Sequence, residues 1–158
     1  MAKEIANSMP AMRELLSKLI YDWIEYRYLR VTWTTKKNRT LDQNALWASL
    51  YQRIAETLDG GTAQDISARK AYCKLMLGLP ILRRDCERFD AGWNQLFRDK
   101  SYQYQIFIMG PNPLFGSDGF PITRLFDTKQ GAEYTDAVVD SFVQQGVFFA
   151  DLLDGKSD

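Results

Sequence analysis

Apolar residues recur along several stretches of this chain with the three- and four-residue spacing of an α-helix. Residues 10–22 have this spacing and begin with a proline, which favours the first turn of a helix, so an amphipathic helix is predicted there. A second helix is predicted from residue 40 to about residue 58, before Gly60 and Gly61 end it. The apolar face of this second helix consists of Leu46, Trp47, Leu50, Tyr51, Ile54 and Leu58.

Three more helices are predicted from capping residues and periodicity. The first covers residues 62–77, because a threonine and an aspartate at its start have the spacing of a capping box. A glycine and a proline within residues 78–80 are expected to interrupt it. The other two helices are predicted over about 83–98 and about 128–145.

Three segments are rich in the residue types that favour β-strands. Residues 26–34 and 101–109 contain many Tyr, Val, Ile, Thr and Trp residues, and 122–126 could form a shorter strand. Together with the helices, these strands predict an α+β fold. We expect a single helix-rich domain over residues 1–158 with a small antiparallel sheet.

Composition places the chain among ordinary globular domains and removes several kinds of chemistry. Its 158 residues are 46% hydrophobic, which is enough for one core. No apolar run is long enough to span a membrane, and no secretory signal is expected at the start. With two cysteines and no histidine, the chain cannot form a Ser-His-Asp triad, a Cys-His pair or a four-ligand zinc site. It also contains no glycine-rich phosphate loop, so neither catalysis nor a cofactor is predicted.

The charges are unevenly distributed although their sum is zero. Residues 1–105 carry 17 basic and 12 acidic side chains, whereas residues 106–158 carry 3 basic and 8 acidic ones. The chain therefore has a basic body and an acidic C-terminal tail at about residues 150–158, an asymmetry that is typical of proteins that bind nucleic acid.

The basic charge is most concentrated in residues 26–41, which contain no acidic residue. The basic residues are Arg27, Arg30, Lys36, Lys37 and Arg39, and the aromatic residues among them are Tyr26, Tyr28 and Trp33. We expect the cations to neutralise phosphates and Tyr28 to stack on a base from the solvent face of the strand. The alternative is a strand edge whose charges only prevent aggregation.

The predicted helix that follows could extend this site. The backbone N–H groups of its first turn are free to bind a phosphate, and the side-chain amides of Gln43 and Asn44 could donate to the DNA backbone or to a base edge. Thr40 and Gln43 also have the spacing of a capping box, which would occupy Gln43. We favour the cap for Gln43, and a ligand or dimer contact for Arg39 and Asn44.

Residues 39–47, RTLDQNALW, resemble the motif of the phage NinB (Orf) recombination-protein family, which includes prophage relatives. In that family an Arg-Ser/Thr-Leu-x-Gln-Asn-x-x-x-Trp-like segment opens a helix after a basic strand. The matching positions are Arg39, Thr40, Leu41, Gln43 and Asn44, with Trp47 beside them. The order of predicted elements, ending in a helix led by Thr and Lys, is also similar.

The resemblance implies a recombination mediator that binds single-stranded DNA without catalysis. It also implies a homodimer, contact with the host single-strand-binding protein, and a phage or prophage protein that acts in the cytoplasm of the bacterial host cell. The DNA-binding residues would be Arg27, Tyr28, Arg30, Lys36, Lys37, Arg39, Gln43 and Asn44.

Two other classes of function remain open. One is a protein-interaction module, in which the Pro- and Gly-rich loop 110–121 docks a host replication or recombination protein. The apolar side chains of that loop, expected to be exposed unless it packs, are Leu114, Phe115 and Phe120. The other is a metal-dependent nuclease that would use carboxylates such as Asp85, Glu87, Asp90 and Asp118.

Overall fold

The computed structural model describes residue 6, residues 8–31 and residues 41–153. Nearly all regular structure in these residues is helical. The α-helices are α1 (Met9–Tyr26), α2 (Leu41–Leu58), α3 (Ala63–Cys73), α4 (Leu79–Asp85), α5 (Glu87–Leu96), α6 (Tyr102–Met109), α7 (Thr128–Val143) and α8 (Ala150–Leu153). A π-helix covers Lys74–Gly78, and a 3₁₀ turn covers Thr123–Leu125.

The predicted α+β class is wrong, since the described part of the chain contains no strand and the fold is all-α. Its one β-bridge joins Asn112 to Gly116 inside a loop. The chain divides into two compact units, residues 1–35 and residues 36–158. No helix in the described residues is long and apolar enough to cross a lipid bilayer.

The first unit contains α1. Ser8 caps this helix by accepting a hydrogen bond from the Ala11 N–H at 3.3 Å, and Pro10 lies in its first turn, as the sequence predicts. The helix continues to Tyr26, four residues beyond its predicted end, and none of its residues is buried. Part of the predicted strand 26–34 is therefore helical or irregular, and residues 32–34 lie outside the described residues.

The second predicted strand, residues 101–109, is the helix α6. The Ser101 hydroxyl accepts a hydrogen bond from the Tyr104 N–H at 3.2 Å and so satisfies a donor of the first turn. Ile108 and Met109 are buried against the rest of the second unit. The β preference of Tyr, Ile and Phe is outweighed here by capping and by burial.

The remaining boundaries also differ in part from those predicted. The predicted short strand at 122–126 is absent, and Thr123–Leu125 within it form a 3₁₀ turn. The predicted helix 83–98 is two helices, because the backbone of Cys86 is extended, with φ −130° and ψ 100°. At Gly78 and Pro80 the backbone stays helical and widens into the π-helix, so the expected interruption takes the form of a change in helix type.

The second unit packs around the apolar faces of α2 and α7. Both faces lie where the sequence predicts them, with Leu50, Ile54, Val138 and Phe142 fully buried. Tyr51 and Tyr134 meet inside this core, and their hydroxyl oxygens are 2.7 Å apart. The contact between α2 and α7 therefore lies inside the core of the unit.

The loop 110–121 is folded onto α5 and α6. Phe115 and Phe120 are half-buried in an aromatic cluster with Trp93 and Phe97, with ring centroids 5.1–6.3 Å apart. Asn112 is buried and organises the loop. Its amide donates to the carbonyls of Ile108 and Gly110, and its side-chain oxygen accepts from the N–H groups of Leu114 and Phe115.

Candidate nucleic-acid interface

The segment that follows α1 begins with an unusual backbone conformation at Arg27. Arg27 has φ 55° and ψ 9°, and it is the one non-glycine residue with positive φ in the part of the chain that the structure describes. Its N–H still donates to the Trp23 carbonyl at 2.9 Å, so the left-handed residue closes the helix. For a residue with a β-carbon, the left-handed region costs on the order of 1 kcal/mol. Arg27 adopts this conformation directly after Tyr26 and so ends α1.

Two tyrosines flank this turn and extend into solvent. Tyr26 is 72% exposed and Tyr28 is 74% exposed, whereas the aromatic rings of the second unit are mostly packed. Arg27 and Arg30 are exposed beside them, and Leu29 is half-buried. The segment thus presents aromatic faces and guanidinium groups together. This is the combination that proteins use on single-stranded nucleic acid.

The strand-face argument made from the sequence does not apply to this segment. It placed Tyr28 on the solvent face of a strand, but α1 extends to Tyr26 and Tyr28 lies just beyond its end. Their exposure follows from the helix end. The predicted site residues Lys36, Lys37 and Arg39, and the capping residue Thr40, lie outside the described residues.

Gln43 lies at the contact between α2 and α7. It is 9% exposed, and its side-chain Nε2 donates to the Thr128 carbonyl at 3.4 Å. Its amide is packed over Gly131, in the first turn of α7, where a β-carbon would lie 2.8 Å from the amide atoms. In this arrangement the Gln43 amide supports the fold instead of facing solvent. Asn44, the next residue, is half-buried.

Trp47, the last residue of the RTLDQNALW motif, also packs against α7. Its Nε1 donates to the Thr135 hydroxyl at 2.8 Å, and its ring meets the edge of Tyr134 with centroids 5.3 Å apart. Gln43 and Trp47 therefore join α2 to α7. Sequence reasoning missed this role, although Gly131 near the start of the final predicted helix was a signal for close helix packing.

The helices α4 and α5 carry Arg83, Arg84 and Arg88, which could either extend the basic surface or form a solvated face paired with neighbouring carboxylates. Arg83 donates to Asp90 at 2.5 Å, and Arg84 is paired with both Asp85 and Glu133. The hydrogen bonds from Arg84 are the main reason that the pKa of Asp85 is lowered to about 2. Two of the three arginines thus have carboxylate partners, as the alternative of a solvated, paired face expects.

The acidic C-terminal segment is partly folded. Asp151 of α8 forms a two-pronged ion pair with Arg53 of α2, at 2.9 Å and 2.7 Å. Arg53 also donates to the Phe148 carbonyl at 2.7 Å. Residues 150–153 are therefore attached to the second unit, and residues 154–158 lie outside the described part.

The carboxylates proposed for a nuclease were Asp85, Glu87, Asp90 and Asp118. Among the residues that the structure describes, no three His, Cys, Asp or Glu side chains come together as a group that could hold a metal ion. Asp85 and Asp90 are instead engaged by arginines.

No protein-family model, no curated protein and no solved structure matches this chain. The resemblance to the NinB family therefore remains a hypothesis that depends on residues 39–47. Of the motif positions that lie in the described residues, Gln43 and Trp47 have contacts that bear on the fold rather than on DNA.

Proposed function

We propose that this protein binds single-stranded DNA without catalysis and acts as a phage-type recombination mediator. The exposed segment 26–31 would bind the DNA. The sequence also assigns Lys36, Lys37 and Arg39 to DNA binding, and these three lie outside the described residues. The protein would act in the cytoplasm of the bacterial host and could contact the host single-strand-binding protein. The resemblance of residues 39–47 to the NinB family supports the recombination context.

One observation carries the proposal: Tyr26 and Tyr28, which lie on either side of Arg27, are 72% and 74% exposed. Burial of a tyrosine ring normally stabilises a fold, so two exposed rings in one short segment favour a ligand. Bases stack on such rings with about 1–3 kcal/mol each, and the neighbouring arginines supply the attraction to phosphates. Single strands fit this site better than duplexes, because stacking on tyrosine needs bases that are not already paired.

The protein would act as a homodimer that is formed through α1. Its apolar residues Met12, Leu16, Leu19 and Trp23 follow a four-three-four spacing, which is that of a coiled-coil seam. Met12, Leu16 and Trp23 are 40–50% exposed. A second copy of the same helix would cover this face symmetrically and place two Tyr-Arg segments in one particle.

The test is fluorescence anisotropy of labelled single- and double-stranded oligonucleotides over a salt series. The variant Arg30→Ala/Arg39→Ala should bind single strands more weakly, and the salt slope should fall by about 1.4 if each arginine contacts one phosphate. Arg88→Ala, an exposed arginine of α5, is the control for loss of a positive charge. No binding of either oligonucleotide at low salt would overturn the proposal.

The exposed face of α1 also favours a second candidate, a module that binds a host replication or recombination protein. The loop 110–121 is less suited to that role than the sequence suggested, because Phe115 and Phe120 are packed and Leu114 is left as its large exposed apolar residue, at 66%. Wild-type protein that binds no DNA but forms a complex through α1 would favour this candidate.

A further inference from the structure

The second unit contains an open cleft of about 550 Å³ between the π-helix, α4, α5 and α6. Its floor is apolar, with Leu79 and Trp93 only 6% and 4% exposed. At its rim Met76 is 46% exposed and Tyr102 is 51% exposed. A cleft of this volume is in the range that holds a small organic group, and the thioether of Met76 and the ring of Tyr102 suit a flat aromatic one.

The rim of the cleft is positively charged. Arg83, Arg84 and Arg98 line it, whereas Asp90 is the one acidic residue in the lining. Arg84 donates four hydrogen bonds to Asp85 and Glu133, so its charge is already paired with two carboxylates.

Two guanidinium groups are better placed to bind an anion. Within the described residues, the side chain of Arg98 makes no hydrogen bond or ion pair. Arg83 uses Nε on Asp90 and one Nη on Asn94, which leaves its other Nη for a ligand. A planar guanidinium group is well suited to phosphate oxygens. The cleft therefore combines an apolar surface for a ring with cations for a negative charge.

We propose that this cleft holds one nucleotide of a single DNA strand. The base would lie against Met76 and Tyr102, and its phosphate would contact Arg98 and the free Nη of Arg83. This site is in the second unit and is additional to the Tyr-Arg segment after α1. The inference rests on the proposed function, since it names a second place where the same strand is bound.

Met76 makes the test specific to the cleft. The chain has five methionines, and Met109 is a buried reference at 1% exposed. In the full chain labelled with ¹³C-methyl methionine, a thymidine oligonucleotide of about 12 nucleotides should shift the Met76 methyl signal, because a stacked base produces a ring current. The Met109 signal should stay in place, and Met76→Leu assigns the signal.

Arg98→Ala supplies an independent measurement. It should weaken oligonucleotide binding several-fold at low salt and lower the salt slope by about 0.7, the contribution of one phosphate on a single strand. Arg88→Ala is the matched control, because Arg88 is an exposed arginine that does not line the cleft. Since Arg98 has no side-chain partner in the described residues, its removal should leave the fold intact.

The outcomes separate the two proposals. If anisotropy shows binding while the Met76 signal does not move and Arg98→Ala behaves like Arg88→Ala, the cleft is not a nucleotide site, and DNA binding by the segment after α1 stands. If no oligonucleotide binds, the proposed function fails and the cleft proposal fails with it.

Discussion

The side-chain amide of Gln43 lies directly over Gly131, so closely that a β-carbon on the glycine would be 2.8 Å from both amide heteroatoms. Gln43 also donates to the Thr128 carbonyl, so the amide is held between two points of α7. The absence of a side chain at position 131 thus allows α2 and α7 to approach, and the two positions are energetically linked.

We expect Gly131→Ala to lower the free energy of unfolding by about 1 kcal/mol, because the cost of displacing Gln43 exceeds the gain in helix propensity. In a Gln43→Ala background the same substitution should instead stabilise the protein by about 0.5–1 kcal/mol, since the obstacle is gone. Urea unfolding of the four proteins measures the coupling.

Gly92→Ala is the control for this cycle. Gly92 lies within α5, and no atom is within 4 Å of the position where its β-carbon would be placed. The substitution should stabilise the protein by about 0.5–1 kcal/mol through helix propensity alone. Equal effects of Gly131→Ala in both backgrounds would show that Gln43 does not restrict position 131.

The contribution of base stacking by Tyr28 can be measured separately from the contribution of the arginine charges. Tyr28→Ala should weaken binding of single-stranded DNA by about 1–3 kcal/mol and leave the salt slope unchanged, whereas Tyr28→Phe should bind nearly as well as wild type. Tyr21→Ala, which removes a ring that is 68% exposed in α1, is the control. Anisotropy titrations at two salt concentrations are sufficient. Equal losses for Tyr28→Phe and Tyr28→Ala would indicate a hydrogen bond from the hydroxyl instead of stacking.

The buried amine of Lys74 should give the protein an unusual dependence of stability on pH. It is 2% exposed, and its Nζ donates to the carbonyls of Met109 and Asp118 at 2.7 Å each. Burial lowers the pKa of Lys74 from 10.5 to about 8, helped by the positive charges of Lys70 and Arg124. A neutral amine retains two N–H groups, so both hydrogen bonds can persist after deprotonation.

The sign follows from proton binding. Between pH 8 and pH 10.5 the unfolded chain holds a proton on Lys74 that the folded chain has released, so the free energy of unfolding rises with pH. Cys73 opposes this above pH 9, because burial raises the pKa of its thiol from 9.0 to about 12. In Cys73→Ala the rise in the free energy of unfolding should therefore extend towards pH 10.0, above which the raised pKa of buried Tyr134 opposes it. Adding Lys74→Met should abolish the rise. Urea unfolding over this pH range measures the effect, with the exposed residue change Lys129→Met as control. A free energy of unfolding that falls steadily with pH in Cys73→Ala would contradict the prediction.

The two cysteines should differ sharply in reactivity. Cys73 is fully buried with a raised pKa, whereas Cys86, at the junction of α4 and α5, is exposed. We expect a disulfide reagent to modify one thiol rapidly in the folded protein and the second thiol only on unfolding. Cys86→Ser should have no rapid thiol, and two rapid thiols in wild type would contradict the burial of Cys73.

The proposed dimer predicts a change of mass with one substitution in α1. Leu16→Asp places a charge in the middle of the apolar seam and should convert the dimer to a monomer. Ser17→Asp, one position along on the same helix, adds the same charge outside the seam and should remain dimeric. Sedimentation equilibrium distinguishes the two masses. A wild-type protein that is monomeric at high micromolar concentration would remove α1 as the dimer interface.

Sequence periodicity predicted the helices that carry wide apolar faces. The faces of α2 and α7 are buried as expected because many side chains point to the same core. Residues 101–109 were assigned to a strand because Tyr, Ile and Phe favour strands weakly. A single cap at Ser101 and the burial of Ile108 and Met109 were enough to reverse that preference.

The candidate site was predictable in composition and not in geometry. The clustering of Tyr28, Arg27 and Arg30 is visible in the sequence, and all three are exposed. The left-handed turn at Arg27 cannot be predicted from the sequence, because an arginine has no preference for that conformation. The position of Gln43 could not be read from the sequence either, since one amide can cap its own helix or pack against another.

The loop 110–121 has a consequence for how this sequence can diverge. Asn112 satisfies four backbone groups, and a β-carbon on Gly119 would overlap the carbonyl oxygens of Met109 and Gly110. Gly116 completes the arrangement through its paired backbone bonds with Asn112. Gly116 and Gly119 have φ 85° and 68°, which favour glycine, so we expect a substitution at any of the three positions to disturb the whole loop. In related chains we therefore expect the loop to be kept or replaced as a block, with Asn112, Gly116 and Gly119 present or absent together.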